Sequence, residues 1–505
     1  MPLATTPFSH AAAMEFLAGR INYERAMSIP CSEAAFKLDR MRELLRRLEN
    51  PQRGIPVVHV AGTKGKGSTS AMIAAMLTAA GYRTGLFTSP HIERVEERMA
   101  IDGQPCSAEE FAEMVEWARP AVEAMDREAA RLQPPENGPT YFEILTAMAF
   151  EFFARRNVKA VVLGVGLGGR LDSTNVCEPC VSVITSISLD HTKQLGETLA
   201  AIAAEKAGII KPGVPVISGV DVEEPREVIR RVARQNGCRL VELGVDFEFD
   251  YHVPQHLEQG AGDEGRGTGG PSFDFYIDTS IDKKNSRRLT APAVRDAKKD
   301  IATALSDVAL GLLGRHQAAN AAVALAVVEE LRRAGWTIPE AAVRGGLAQI
   351  VWPARVEVVS RRPVVVLDAA HNAASIAALM EVLEESFSVS RRYLLFATTQ
   401  EKDLRGMLRL LIGRFDRIFF TRYTNNPRSV PPEELLILAK ELQTTPSWGD
   451  SSTVTPASTV TPATTTATAS TAEAWREIQR LATPDDLICV TGSFFLASEM
   501  RKALR

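Results

Sequence analysis

Residues Val57–Thr69 read VVHVAGTKGKGST, and Ser70–Gly81 continue as SAMIAAMLTAAG. A run of β-branched apolar residues enters a glycine-spaced turn with two lysines, and a stretch of good helix formers leaves it. The order predicted is strand, phosphate loop, helix. Gly62, Gly65 and Gly67 let backbone N–H groups close on a phosphate, and the following helix adds the positive end of its dipole. Lys66 can reach the terminal phosphates, and a hydroxyl from Ser68 or Thr69 can ligate Mg²⁺. The spacing is not the common GxxxxGK[ST], because Gly67 separates Lys66 from Ser68. The plainer alternative is an ordinary βα turn; lysine and hydroxyl in register between strand and helix argue against it.

Outward from this stretch, short β-branched runs alternate with helical patterns. Strands are expected at Val57–Ala61, Thr84–Thr88, Ala160–Val165, Ser182–Ser186 and Val214–Ser218. Helices are expected near Ser70–Ala80, Ala108–Glu128, Tyr141–Arg155, Leu199–Ala207 and Arg226–Asn236. This alternation predicts an α/β fold with a mostly parallel sheet covered on both faces, and ligands beyond the carboxyl ends of its strands. After Trp352-Pro353-Ala354-Arg355 the pattern restarts. Strands are expected at Val364–Leu367, Arg392–Phe396, Arg417–Thr421 and Leu487–Thr491, with helices at Ala373–Ser386 and Leu404–Arg414. The reading is a domain over 1–350, a linker over 351–356 and a smaller α/β domain over 357–505. An Arg and a Trp in the linker suggest that it touches a ligand. Two stretches read as insertions: Gly-rich Gln259–Pro271, expected to be a flexible surface loop, and Thr444–Ala472, whose Thr, Ser, Ala and Pro give no core and are expected to form a disordered loop.

A chain of 505 residues exceeds one typical core, which agrees with two domains or more. With 58 basic against 62 acidic side chains there is no electrostatic case for nucleic acid or an anionic membrane. No apolar run approaches the roughly 20 residues that span a bilayer, and no secretory signal is read, so a cytoplasmic enzyme is the expectation. Cys177-Glu178-Pro179-Cys180 has CxxC spacing, but no second pair accompanies it, and reduced thiols near a strand start are expected.

Four further clusters combine acids, histidines and amides: Gly166–Asn175 (GLGGRLDSTN), Leu189-Asp190-His191 with Lys206–Lys211, His316–Asn320 (HQAAN), and Asp368–Asn372 (DAAHN). Each has a bland reading. Asp172 and Asn175 suit turns, Asn372 suits a helix cap, and a lone histidine such as His191 is often only a satisfied polar residue. Most of them fall where a buried strand gives way to a loop, which is the ligand face.

GTKGKGST, SPHIERVEER, GLGGRLDSTN, LDHTKQLG, EKAGIIKPG, HQAANAAVA, WPAR, DAAHN and TGSFFLAS follow in this order. Together they resemble the folylpolyglutamate synthase/dihydrofolate synthase family, the folate branch of the ATP-dependent Mur ligases, from about Phe36 to the C-terminus. The resemblance implies a Mur-ligase-like fold, with a P-loop central domain and a C-terminal glutamate ligase domain. It implies an amide formed between a folate or dihydropteroate carboxylate and L-glutamate, through an acyl phosphate, with ATP and two Mg²⁺ ions. It further implies a monomer with small-molecule partners and neither nucleic acid nor membrane. Carried over residue by residue, Gly62, Thr63, Lys64, Gly65, Lys66, Gly67, Ser68 and Thr69 hold the phosphates, with Lys66 stabilising the transferring group. Ser68, His191 and Lys206, the last as a CO₂-derived carbamate, hold metal. Gln317, Asn320, Arg355 and Asp368 contact nucleotide, and His371 acts with Asp368 in the second domain. Ser89, Pro90, His91, Arg94 and Arg98 line the pterin site.

One position departs from the family pattern. Where the family usually carries a metal-ligating glutamate, before the Gly-Leu-Gly-Gly motif, this chain has Gly164. Either a nearby acid such as Asp190, Asp172 or Glu143 substitutes, or metal binding is weak, or the chain binds nucleotide or folate without catalysing. A cell-wall Mur ligase is the remaining reading, disfavoured by SPHIERVEER and GTKGKGS.

Overall fold

The computed structural model describes residues 8–24, 38–259, 270–277, 303–400, 402–424, 426–444 and 463–505. They group into two compact units. The first is Met1–Asp250, Phe273–Val308 and Ala318–Ile350; the second is Tyr251–Ser272, Ala309–Gln317 and Val351–Arg505.

The first unit is built on β1 (Val57–Ala61), β2 (Thr84–Phe87), β3 (Met99–Ile101), β4 (Gln104–Pro105), β5 (Ala160–Gly164), β6 (Pro179–Ile184), β7 (Val216–Ser218) and β8 (Leu240–Glu242). They lie in the order β4-β3-β2-β5-β1-β6-β7-β8. Every pairing from β2 to β8 is parallel; only β3 is reversed, pairing antiparallel with both β2 and β4. All five residues of β1 are buried, as a central strand of a parallel sheet requires. Chain order reverses at β1: β2 lies beyond β5 on one side, and β6 follows on the other. Loops after β5 and β6 therefore converge on the loop after β1, a topological switch point. The helix Lys66–Ala79 buries Met72, Ile73, Met76 and Leu77 completely. Helix Glu340–Ala348 packs on it so closely that a Cβ at Gly346 would stand 2.8 Å from the Met76 amide nitrogen.

β9 (Phe247–His252), β10 (Ser272–Ile277) and β11 (Thr303–Ala309) form a separate three-stranded sheet that the composition did not announce. The second unit carries β12 (Glu357–Arg361), β13 (Val364–Leu367), β14 (Arg392–Phe396), β15 (Arg417–Phe420), β16 (Thr464–Ala467) and β17 (Leu487–Thr491), in the order β12-β13-β17-β14-β15-β16. Only β12 is antiparallel to its neighbour. The reading of 444–472 as disordered is corrected at its far end. Thr464–Ala467 pairs in parallel with β15, and Ser470 caps a helix that starts at Thr471. Consecutive threonines lack the bulk for a core, yet their β-branching suits an edge strand. Residues 445–462, and 260–269 of the other insertion, lie outside the described residues. No described helix is long and apolar enough to cross a membrane.

Candidate active site

The loop after β1 turns through Gly62 at φ 154° and Gly65 at φ 81°. Gly65 caps the helix Lys66–Ala79 without a side-chain bond, so no side chain of the cap competes for the first N–H groups. Those groups are the orphan donors of a helix start and suit an anion. The Lys66 ammonium curls back to donate to the Gly62 carbonyl at 2.8 Å and the Thr63 carbonyl at 3.3 Å. Asn320 abuts the apex: a Cβ on Gly65 would lie 2.2 Å from its Oδ1. Ser68 is buried in the first turn, and the buried hydroxyls of Thr69 and Ser70 have no protein partner.

The loop after β6 straps this turn down. The Thr63 amide donates to the Ser186 carbonyl (2.8 Å), and the Lys64 amide to Ser186 Oγ (3.0 Å). Thr185 Oγ1 donates to the Lys64 carbonyl (2.6 Å), and Thr63 Oγ1 to the Ser188 carbonyl (3.2 Å). Next in the chain, Asp190 pairs with the Lys64 ammonium at 2.8 Å. His191 sits in the left-handed region (φ 50°, ψ 39°) at the start of the short helix Thr192–Leu195.

Lys206 ends the helix Leu199–Ala207 and is 4% exposed. Burial, then the Lys66 charge, drive its pKa well below the ordinary lysine value, against the pull of Asp190. Such a shift favours the neutral amine, the form of lysine that reacts with CO₂. The loop after β5 supports its helix. The Arg170 amide donates to the Glu205 carbonyl (2.8 Å), and Asn175 Nδ2 to the carbonyls of Arg170 (2.9 Å) and Gly208 (3.1 Å). Asp172 fixes that loop by accepting from the Gly166, Leu167 and Thr174 amides and from the Thr174 hydroxyl. Burial raises the Asp172 pKa, and those bonds oppose the rise. Behind it, His59 Nε2 lies 2.8 Å from Thr174 Oγ1. Because that hydroxyl donates to Asp172, Nε2 carries the ring proton. Burial holds His59 down to about 3, hence neutral.

Beyond β2, Arg98 is 1% exposed, with its donors spent on Glu24 (2.9 and 2.5 Å) and on His91 Nδ1 (2.9 Å). It braces His91, whereas Arg94 is exposed. Glu97 draws in the Ile92, Glu93 and Arg94 amides, shaping the turn that follows Ser89 and Pro90.

In the second unit, Asp368 leaves the end of β13, accepts from the amides of Val356 (2.9 Å) and Ala370 (2.7 Å), and sits in the field of Arg355. Burial raises its pKa and Arg355 lowers it. The Arg355 guanidinium lies 4.9 Å from the Phe494 ring centroid, and the His371 ring lies 5.5 Å from the same ring. Burial, then Arg355, push His316 down to about 4. Gln317, 1% exposed, belongs to this unit. Asn372 caps the next helix, accepting from the Ser375 amide (3.0 Å), as the bland reading had it.

Residues 60–261 match the Mur ligase middle domain, and residues 354–494 the Mur ligase glutamate ligase domain. Among curated relatives, the dihydrofolate synthase/folylpolyglutamate synthase of Bacillus subtilis is 34% identical over 470 residues, covering 93% of this chain and 95% of its own. The chain belongs to this family of Mur ligases. The folylpolyglutamate synthase of Lacticaseibacillus casei is 31% identical over 92% of this chain and 94% of its own. Among solved structures, the Mycobacterium tuberculosis folylpolyglutamate synthase complexed with ADP and AMPPCP superposes with TM-score 0.78 at 29% identity, covering 98% of this chain and 99% of that one. E. coli FolC in complex with DHPP and ADP superposes at 0.74 and 27% identity, covering 100% and 99%.

Within this folylpolyglutamate/dihydrofolate synthase frame, the first unit brings together the phosphate loop, Asn320, His191 and Lys206, and the second brings together Arg355, Asp368 and His371. Two groups of participants escaped the sequence reading. Thr185, Ser186 and Ser188 were signalled only by a hydroxyl-rich TSIS run at a strand end. Phe494 was quoted inside a motif but given no part. Its ring seats both a guanidinium and an imidazole, a contact worth about 0.5–2 kcal/mol for the cation alone. Phe494→Leu is therefore expected to lower kcat/KM for ATP roughly tenfold, with Phe494→Tyr near wild type in the same steady-state assay.

Proposed function

We propose that the chain joins L-glutamate to the carboxylate of a folate or dihydropteroate at the expense of ATP. The observation that carries this reading is the buried Lys206, its pKa driven well below the ordinary lysine value, beside Lys66 and Asp190 at a strapped phosphate loop, a device that a simple nucleotide binder has no use for. A carboxylate oxygen of the pteridine substrate attacks the γ-phosphorus, and the bond to ADP breaks. The glutamate amine then adds to the acyl-phosphate carbon, loses a proton, and inorganic phosphate leaves with the bonding pair. In the first step the helix N-terminus and Lys66 hold the phosphates in line and offset the charge on the equatorial oxygens. Within the second unit, Asp368 and Phe494 steady the Arg355 guanidinium, and His371 lies against the same ring.

The donor set fits magnesium. Among the described residues no three His, Cys, Asp or Glu side chains gather closely enough to hold an ion. Magnesium needs only one or two protein ligands besides phosphate oxygens and water. Ser68, His191 and Lys206 as its carbamate would hold it, and it would neutralise the phosphates. The named relatives support catalysis; the non-catalytic alternative draws no support from them.

The test is Mg²⁺-ATP-dependent ADP release with L-glutamate, comparing dihydropteroate, tetrahydrofolate and no pteridine. Release that needs both glutamate and a pteridine supports the ligase and identifies its acceptor. ATP binding with no ADP release under all three conditions would overturn it.

A further inference from the structure

Gly164 offers no carboxylate, and a Cβ there would already stand 3.1 Å from the Phe87 carbonyl oxygen. Three acids are candidates to take up the charge of a nucleotide-bound cation, and the structure separates them. Asp172 has its oxygens committed to four donors within the loop after β5. Glu143 is committed to Arg40 Nε and the Thr140 amide at the start of its own helix. Neither can turn away without leaving buried donors unmatched.

Asp190 differs in kind. Its Oδ1 accepts from the exposed His191 amide at 3.0 Å. Its Oδ2, however, pairs with a long, flexible side chain, the Lys64 ammonium at 2.8 Å, and the Asp190 side chain is 9% exposed. Lys64 belongs to the phosphate loop, where a polyphosphate competes for every cation. Lys64, Lys66, Asp190 and buried Lys206 share one electrostatic neighbourhood. When the phosphates draw Lys64 away, Asp190 becomes a poorly solvated anion beside further negative charge, which is costly unless another cation replaces the ammonium. The neighbouring His191 Nε2 lies 3.9 Å from Asp190 Oδ1. An anionic oxygen and an imidazole nitrogen are thus set within about an ångström of the separation that two ligands of one small cation need.

We propose that Asp190 is a ligand of the nucleotide's divalent cation, and that the Lys64 ammonium holds the ion's place until nucleotide arrives. The proposal rests on the nucleotide reading of the loop. It makes Gly164 tolerable, because the anionic ligand comes from the loop after β6.

The test is Mn²⁺ binding, followed by electron paramagnetic resonance of the free ion, with and without saturating ADP, on the full chain. Asp190→Asn is expected to weaken Mn²⁺ in the ADP complex about tenfold or more, without weakening metal-free ADP binding. Asp190→Glu should recover most of the Mn²⁺ affinity. Lys64→Met should tighten Mn²⁺ in the absence of nucleotide, because it removes the ammonium from Asp190 Oδ2. Mn²⁺ affinity in the ADP complex of a folded Asp190→Asn protein within about twofold of wild type would overturn the proposal. So would Lys64→Met leaving nucleotide-free Mn²⁺ binding unchanged. Wild-type protein that binds no ADP would instead overturn the nucleotide reading. Thermal melts establish folding, and the Lys64→Met arm decides if Asp190→Asn fails to fold.

Discussion

Lys206→Met lowers kcat for glutamate ligation by about a thousandfold, the scale expected when a group that stabilises transition-state charge is lost. Methionine fills the same slot without an amine, so it can take up no CO₂ and present no carbamate oxygen. The same substitution should leave the protein at least as stable as wild type at pH 7. Lys206 is buried, with a pKa well below the ordinary value. Between that value and about 10.4 in the unfolded chain, the unfolded state binds the extra proton, so wild-type stability rises with pH and falls as pH drops through the window. Methionine has no such dependence. The difference in Tm between variant and wild type therefore narrows as pH is raised from 7 toward 10. Kinetics in CO₂-depleted and bicarbonate-replete buffer complete the test: wild type responds, and the variant does not. More than about a tenth of wild-type kcat in Lys206→Met would sink the carbamate role.

Gly65→Ala weakens ADP binding by about a hundredfold or more. The position has φ 81°, where an L-residue costs about 1–2 kcal/mol, and the new methyl would meet Asn320 Oδ1 at 2.2 Å. Either the loop or Asn320 must move, and a fan of N–H donors that shifts by an ångström no longer converges on the phosphates. Calorimetric titration with ADP measures the loss. Adding Asn320→Ala relieves only the steric part, so the double variant should recover some affinity but stay well below wild type. Wild-type affinity in Gly65→Ala would mean that this turn is not the phosphate cradle.

What could be read in advance follows the range of the interaction. The stretch Val57–Ala79 announces itself because strand, glycine turn and helix are local, and the structure places β1 at the predicted residues. The helices Tyr141–Arg155 and Ala373–Ser386 match their expected bounds for the same reason, each capped by a residue at its own start. β3 and β4 went unread because segments of three and two residues carry no period. The strap joins Thr63 and Lys64 to residues more than a hundred positions away, and Arg98 finds Glu24 across 74 positions. Partnerships of that span exist only once the sheet has set the order of its strands. The chemistry of Lys206 was legible only by resemblance; its burial, which lowers its pKa and favours the amine, is a property of the fold.

The strap across the phosphate loop has a kinetic consequence. Fixing a backbone residue costs about 1–2 kcal/mol of conformational entropy, and for Thr63 and Lys64 that cost is met when the protein folds, not when nucleotide lands. Association with ATP is then a docking onto a set surface rather than a coupled ordering event. The amide protons of Thr63 and Lys64 should resist exchange with solvent in the empty protein nearly as well as in the nucleotide complex.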